Sequence, residues 1–309
     1  MAALFWKSKI ILLKIETSYA VDPTPSGADA ILMTGVEFSP MEGQDVSRDL
    51  ETPNRGAQEL IPVGLHCRLR GRIELVPSGT AGVAPAWGPV IRVCGCGETI
   101  VSETSVAYAP IFSSYESAYI KFWIGGTLHK VAGVRGTGTL RLNAQGLPYL
   151  EVELVGLYAG VSETARVSPT LTGFKRPRVV TNANTPDFSI NSVSLVMRNF
   201  ALAMRNQVVP RLLVNSEEVL IVDSDDTITC QVQAVPVSTL DPYTLSQADE
   251  DATLIPVEIE HGTQAGFIIN IATAAAQMQR PTGFANQDNI LEWPLSLKVL
   301  GGAWTMTLT

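Results

Sequence analysis

The sequence predicts a mainly β fold in which one order of elements occurs twice. Three observations predict it. Apolar and polar residues alternate with period two along many segments, glycine- and asparagine-containing turns separate those segments, and helical periodicity is confined to two short stretches.

The clearest strand runs from Leu65 to Leu75. Leu65, Cys67, Leu69, Gly71, Ile73 and Leu75 fall on one face, and His66, Arg68, Arg70, Arg72 and Glu74 on the other. Ala84 to Cys94 then places Trp87, Val90, Ile91 and Cys94 on one helical stripe, with Pro85 near its start and Gly95 just after. Strand alternation returns at Ile120, Phe122 and Ile124, and at Leu150, Val152 and Leu154. The turns Ile124-Gly125-Gly126-Thr127 and Asn143-Ala144-Gln145-Gly146 predict hairpins between them.

In the second half, Ile228, Cys230 and Val232 alternate, and a short helix is expected from Asp241 to Ala248, capped by Asp241 with Pro242 in its first turn. Glu260-His261-Gly262-Thr263 reads as a turn. Leu291, Trp293, Leu295, Leu297 and Val299 form the last strand, and Pro294 within it points to an edge or a bulge.

Strand, loop, short helix, hairpin and final strand thus recur in the same order, although residue identity between the halves is poor. The joining stretch from Ser162 to Ser189 carries Pro169, Pro177 and Pro186 with little periodicity, as a surface linker does. The expected division is an N-terminal arm over residues 1–30, a first domain over 31–175 and a second over 176–309.

Composition sets the remaining bounds. The 309 residues are 46% hydrophobic and 17% charged, too apolar for a disordered chain. The net charge of −8 argues against gripping nucleic acid through phosphate neutralisation. Lys7, Lys9 and Lys14 interrupt the apolar run from Leu4 to Ile15, which is far below the ~20 residues that span a bilayer. Ser18-Tyr19-Ala20 is only a weak signal-peptide exit, so no membrane partner is expected. Cys67, Cys94, Cys96 and Cys230 read as reduced, buried hydrophobes, since Cys94-Gly95-Cys96 lacks the spacing of zinc or redox sites.

Catalytic and metal chemistry find no constellation. His66 lies on a polar strand face, His129 beside a hairpin turn and His261 in a turn, with no nucleophile phrase and no His pair at i, i+4. Two acidic clusters lack the glycine of a calcium loop and read as solvated turns: Glu217, Glu218, Asp223, Asp225 and Asp226, and then Asp249, Glu250 and Asp251. The glycines of Gly133 to Gly138 read as close backbone approach within a sheet rather than a phosphate loop. The expectation is a non-enzyme with no cofactor and no metal.

Two features point to assembly. Arg68, Arg70 and Arg72 share one strand face and need opposing charge. Glu151 and Glu153, with Glu74 nearby, supply it either within the chain or from a neighbouring copy. On the second alternative Arg70→Glu would weaken assembly. The polar stretch from Glu42 to Leu60 reads as a long projecting loop or hairpin, and Asn206 to Val219 holds the corresponding place in the second half.

The chain resembles the major tail tube proteins of long-tailed, siphovirus-like bacteriophages. The resemblance rests on Lys14-Ile15-Glu16-Thr17, Asp22-Pro23-Thr24-Pro25, Gly27 to Leu32, Val36-Glu37, Glu42-Gly43 and Arg48-Asp49-Leu50. It continues in Ile61 to Gly64, Gly79 to Gly82, Ala84 to Pro89, Gly95 to Gly97 and Asn182 to Pro186. These phrases cover the first half densely and the second thinly. The resemblance implies tandem tail-tube-type β-sandwiches whose sheets join in the oligomer into a barrel around a channel. For a chain with two such units it implies homotrimeric, pseudo-hexameric rings stacked into a tube, with Arg68, Arg70, Arg72, Glu74, Glu151 and Glu153 as candidate inter-strand or luminal charges. It also implies an inter-ring loop carrying Gly43, Asp45, Arg48, Asp49, Glu51, Asn54 and Arg55, with a second-domain counterpart at Asn206, Gln207, Arg211, Asn215 and Glu217. The implied partners are further copies, the tape-measure, terminator and distal-tail proteins at the tube ends, and DNA in transit, with assembly in the host cytoplasm and residence in the virion. The competing reading is a β-sandwich virion module that recognises carbohydrate or a receptor.

Overall fold

The computed structural model describes residues 5–53, 55–247 and 253–309. Leu4, Asn54, Ala248, Asp249, Glu250 and Asp251, named above, lie outside the described residues.

The first half carries β1 (Lys9–Ile15), β2 (Thr34–Ser47), β3 (Leu60–Glu74), α1 (Gly88–Val93), β4 (Cys96–Val101), β5 (Ser105–Pro110), β6 (Ala118–Ile124), β7 (Thr127–Asn143) and β8 (Tyr149–Glu163). The second carries β9 (Asp187–Ile190), β10 (Val193–Ser194), β11 (Met197–Ala203), β12 (Gln207–Leu213), β13 (Ser216–Asp223), β14 (Thr227–Gln233) and α2 (Pro242–Leu245). It ends with β15 (Leu254–His261), β16 (Ile269–Met278), β17 (Ala285–Gln287), β18 (Ile290–Val299) and β19 (Trp304–Leu308). The protein is mainly β, and its strand pairs are antiparallel.

The strand pairings repeat as the element order does. In the first half β1 pairs β6, β2 pairs β3, β3 pairs β8, β6 pairs β7 and β7 pairs β8. In the second β9 pairs β15, β11 pairs β14, β14 pairs β18, β15 pairs β16, and both β16 and β17 pair β18. Even a bulge recurs, between Thr34 and Glu37 on β2 and between Met197 and Asn199 on β11.

Two ladders join the halves. The C-terminal part of β7 pairs β11, which produces one layer in the order β2-β3-β8-β7-β11-β14-β18-β17. The last strand, β19, pairs both β16 and β5, so the second layer runs β10-β9-β15-β16-β19-β5-β4. The alternation read from sequence turns one face of the first layer toward the second. Ile73, Leu140, Leu150, Phe200, Leu202, Ile228 and Leu297 meet Ile259, Ile271, Trp304 and Met306 in a single core drawn from both halves. The segment between β8 and β9, which contains the boundary expected near residue 175, holds neither helix nor strand.

The helices are shorter than the sequence suggests. α1 starts only at Gly88, after Trp87 has donated its indole N–H to the Val76 carbonyl at 2.8 Å, and it ends against Gly95 at φ +85. Val90, Ile91 and Val93 are its buried face. α2 is a single turn whose cap is as expected, with Asp241 accepting from the Tyr243 and Thr244 backbones.

Several local readings are corrected. His261 is the last residue of β15 and is buried, its Nδ1 2.9 Å from Thr185 Oγ1, and the turn begins only at Gly262. Pro294 lies opposite Gln231 between the β18 stretches paired with β17 and with β16. It therefore sits at a gap on one side of an interior strand rather than at an edge. Asp226 is buried, not a solvated turn residue. All four cysteines are buried and unpaired, and burial pushes the Cys67, Cys94 and Cys230 thiols up to about 12.

Candidate assembly interface

The outward face of the first layer is a polar lattice. Cross-strand register places Arg70 opposite Glu153 and Arg72 opposite Glu151. Arg70 Nε lies 2.9 Å from Glu153, Arg72 Nε 2.9 Å from Glu151, and Arg141 Nε 2.6 Å from Glu151. Arg68 bridges Glu42 and Glu153. Against the cost of partial burial, that guanidinium holds the Glu42 carboxyl below its ordinary value. Glu74 lies opposite Tyr149. The arginine ladder is thus answered inside one chain, so no neighbour is needed to neutralise it.

The lattice continues across the junction between halves with fewer charges. Thr139, Arg141 and Asn143 oppose Ala203, Ala201 and Asn199, and beyond them lie Thr229, Gln231, Ser296 and Lys298. Arg198 donates to both oxygens of the buried Glu292, at 3.0 and 2.8 Å from Nε, and lowers its pKa. Lys298 pairs with Asp225. The basic side chains on this face, Arg68, Arg70, Arg72, Arg141, Arg198 and Lys298, each touch a carboxylate.

Among the described residues this layer ends in two unpaired edges, where β2 pairs only β3 and β17 pairs only β18. The junction inside the chain joins the same two kinds of edge. β7 is the counterpart of β16 and β17, and β11 is the counterpart of β2 through their shared bulge. Its hydrogen bonds run from Met204 N–H to the Gly138 carbonyl and from Ala144 N–H to the Arg198 carbonyl, at 3.0 and 2.8 Å. Leu140–Leu202 and Leu142–Phe200 are therefore the hydrogen-bonded pairs between them. Apolar side chains are exposed at both free edges: Phe284 (64%), Ile290 and Leu291 at one, Trp6 (71%), Leu32 and Leu171 at the other. The latter three line a groove of about 750 Å³ along β1 and the start of β2.

The two loops read from sequence are hairpins. Gly43 and Asp45 lie in β2, beyond which Arg48 reaches Glu59 at 3.5 Å, Asp49 takes φ +41, and Glu51 and Arg55 are exposed. Asn54 is outside the described residues. In the second half Gln207 and Arg211 belong to β12, Glu217 belongs to β13, and Asn215 turns between them at φ +68. Unlike β2 and β3, this hairpin is set off from its sheet by residues 204–206 and 224–226, and it packs on β7 and β8. A groove of about 780 Å³ between the hairpins brings Gly43 together with Arg211 and Glu217. Val46, Leu60, Ile61, Leu213 and Val214 stand exposed along them. Asn206 departs from its expected place. Its amide donates to the Cys94 and Gly136 carbonyls, so it anchors the hairpin base instead of facing outward.

Sequence reasoning missed the clamp on this hairpin. Val219 N–H donates to Tyr19 Oη at 2.6 Å, and the Val219 carbonyl accepts from Arg135 Nη1 at 2.7 Å. Arg135 also stacks on the Tyr19 ring, 5.2 Å from its centroid. Nothing local marks three residues so distant in the chain.

Fold and site together define a mainly β chain whose polar-faced layer has an edge at β2 and another at β17 with no further strand beyond them among the described residues. No protein-family model matches the chain, and the search of curated proteins finds no match. Among the described residues no helix is long and apolar enough to cross a membrane.

Proposed function

We propose that the chain is a tail tube subunit of a long-tailed bacteriophage, a non-enzymatic virion protein that conducts DNA toward the host. The β17 edge of one copy joins the β2 edge of the next, and three copies close a ring of pseudo-sixfold symmetry. The two repeats of each copy act as the tandem domains, and the first layer of each forms the barrel wall. The β2–β3 and β12–β13 hairpins stack one ring on the next, and tape-measure, terminator and distal-tail proteins meet the tube ends.

The observation that carries this reading is the head-to-tail ladder between β7 and β11. A heterologous contact repeated by a constant rotation either closes or grows without limit, and closure removes the free edges. The polar face supports it too. Were the bore lined by net negative charge, as the chain total of −8 invites, phosphates would be repelled. The lattice serves passage differently, because an arginine already bonded to glutamate has little to offer a phosphate.

Native mass spectrometry and negative-stain microscopy of the purified protein test the proposal. The expected smallest closed species has three times the 33.2 kDa chain mass and a hollow centre. A protein that stays monomeric at high concentration, or a closed ring of six chains, contradicts it.

A further inference from the structure

Trp304 on β19 is buried, and its indole Nε1 makes no hydrogen bond among the described residues. Buried N–H groups are nearly always partnered. The indole lies close enough to the buried Asp226 carboxyl to work against the effect of burial on that group, yet not in the geometry of a direct hydrogen bond. A donor and an acceptor thus confront each other across a gap. A cavity of about 10 Å³ lies there, lined by Cys96 and Tyr115 of the first half and by Asn206, Asp226 and Trp304 of the second. The loop after β18 closes over the carboxyl. Gly302 takes φ +59 in that loop, and a Cβ on it would stand 2.8 Å from the Phe112 ring and 3.1 Å from Asp226 Oδ2.

We propose that this cavity binds one structural water, which accepts from Trp304 Nε1, hydrogen-bonds the Asp226 carboxyl and joins the two halves at their seam. Size restricts the occupant, because a space of about 10–15 Å³ holds a single water and nothing larger. Chemistry restricts it further. An indole N–H disfavours a cation and a carboxylate disfavours an anion, whereas a neutral molecule that both donates and accepts satisfies each. Asn206 adds to the lining. Its Nδ2 is spent on the Cys94 and Gly136 carbonyls, so Oδ1 remains as a further acceptor. The site stands apart from ring formation, since every residue that lines it belongs to one chain.

A crystal structure of the full-length chain that shows ordered water tests the site. One peak is expected about 2.7–3.2 Å from Trp304 Nε1 and within hydrogen-bond reach of the Asp226 carboxyl. Nε1 bonded directly to an Asp226 oxygen, or Nε1 with no peak beside it, overturns the proposal. So does anomalous signal at the peak in crystals soaked with rubidium, which would mark a cation. In solution the Trp304 indole proton is expected to show a long-lived NOE to water. Asp226→Asn, which keeps an acceptor, should retain that NOE, and Asp226→Leu should lose it. An NOE that survives in Asp226→Leu overturns the bridge, and the wild-type peak and NOE decide the matter should Asp226→Leu not fold.

Discussion

Arg135 holds Val219 by its carbonyl at 2.7 Å, while Tyr19 takes the same residue's N–H. Val219 stands opposite Pro210 on β12. Both of its backbone polar groups are used by these side chains, so the pair is a non-hydrogen-bonded one and the missing N–H of Pro210 costs the ladder nothing. The clamp thus ties the N-terminal arm and the first half to the hairpin of the second.

Tyr19→Phe keeps the ring on Arg135 and deletes the acceptor, which leaves a buried N–H without a partner. The expected loss is about 1–3 kcal/mol in urea denaturation, with faster hydrogen exchange at Val219. Unchanged exchange there would show that the hydroxyl does not hold the strand.

Arg70→Glu sets a carboxylate directly opposite Glu153 and beside Glu37. Because the site is half-exposed, a modest loss of about 1 kcal/mol is expected in the stability of the single chain. Adding Glu153→Arg restores the opposite-sign pair and should recover part of it, short of full recovery because Glu153 also serves Arg68. A double mutant no better than the sum of the singles would dismiss the ladder as a source of stability.

How far the fold was legible follows from which forces are local. Alternation and turn glycines are local, so β3, β6, β14 and β18 fall where period two places them, and Gly125 takes its positive φ in the expected turn. Partner choice is not local. Nothing in Leu140 or Leu202 announces that they meet, since an apolar residue on a strand face fits many partners. His261 followed by Gly262 has turn chemistry, yet Thr185, far away in sequence, makes it a buried strand end. Arg70 and Glu153 were legible as a pair because each strand's polar face was evident. That they meet within one chain required the register.

Asp226 is 5% exposed, and burial, with the Asp225 charge nearby, pushes its carboxyl up to about 6 from 3.8. The native state then binds this proton more tightly than the unfolded chain does. Its contribution is fully present below about pH 4 and is lost as pH rises through about 6. Asp226→Asn should therefore raise stability at pH 8 by at most about 3 kcal/mol and give no such gain at pH 4. Denaturation midpoints at the two pH values measure the difference. An equal effect at both would place the cause in packing rather than ionisation.

Asn286→Pro separates folding from closure. Asp288 and Asn289, both at positive φ, form the two-residue turn of the β17–β18 hairpin, so Gln287 and Ile290 are its hydrogen-bonded pair. Asn286 and Leu291 are then a non-hydrogen-bonded pair, and the Asn286 N–H points away from β18 toward the open edge. The internal ladder gives the same answer, because its counterpart Leu140 is hydrogen-bonded to Leu202 across the junction. Proline at 286 removes that outward donor and the Asn286 Oδ1 that accepts the exposed Asn289 N–H at 3.0 Å, but no backbone bond of the hairpin, whereas Gln287→Pro breaks a backbone bond inside it. The monomer of Asn286→Pro is expected to melt within a few degrees of wild type and to form no closed rings, as read by native mass spectrometry. Rings from this variant at wild-type yield would mean that β17 is not the closing edge. Failure of its monomer to fold, with Gln287→Pro tolerated, would mean that the hairpin register is reversed.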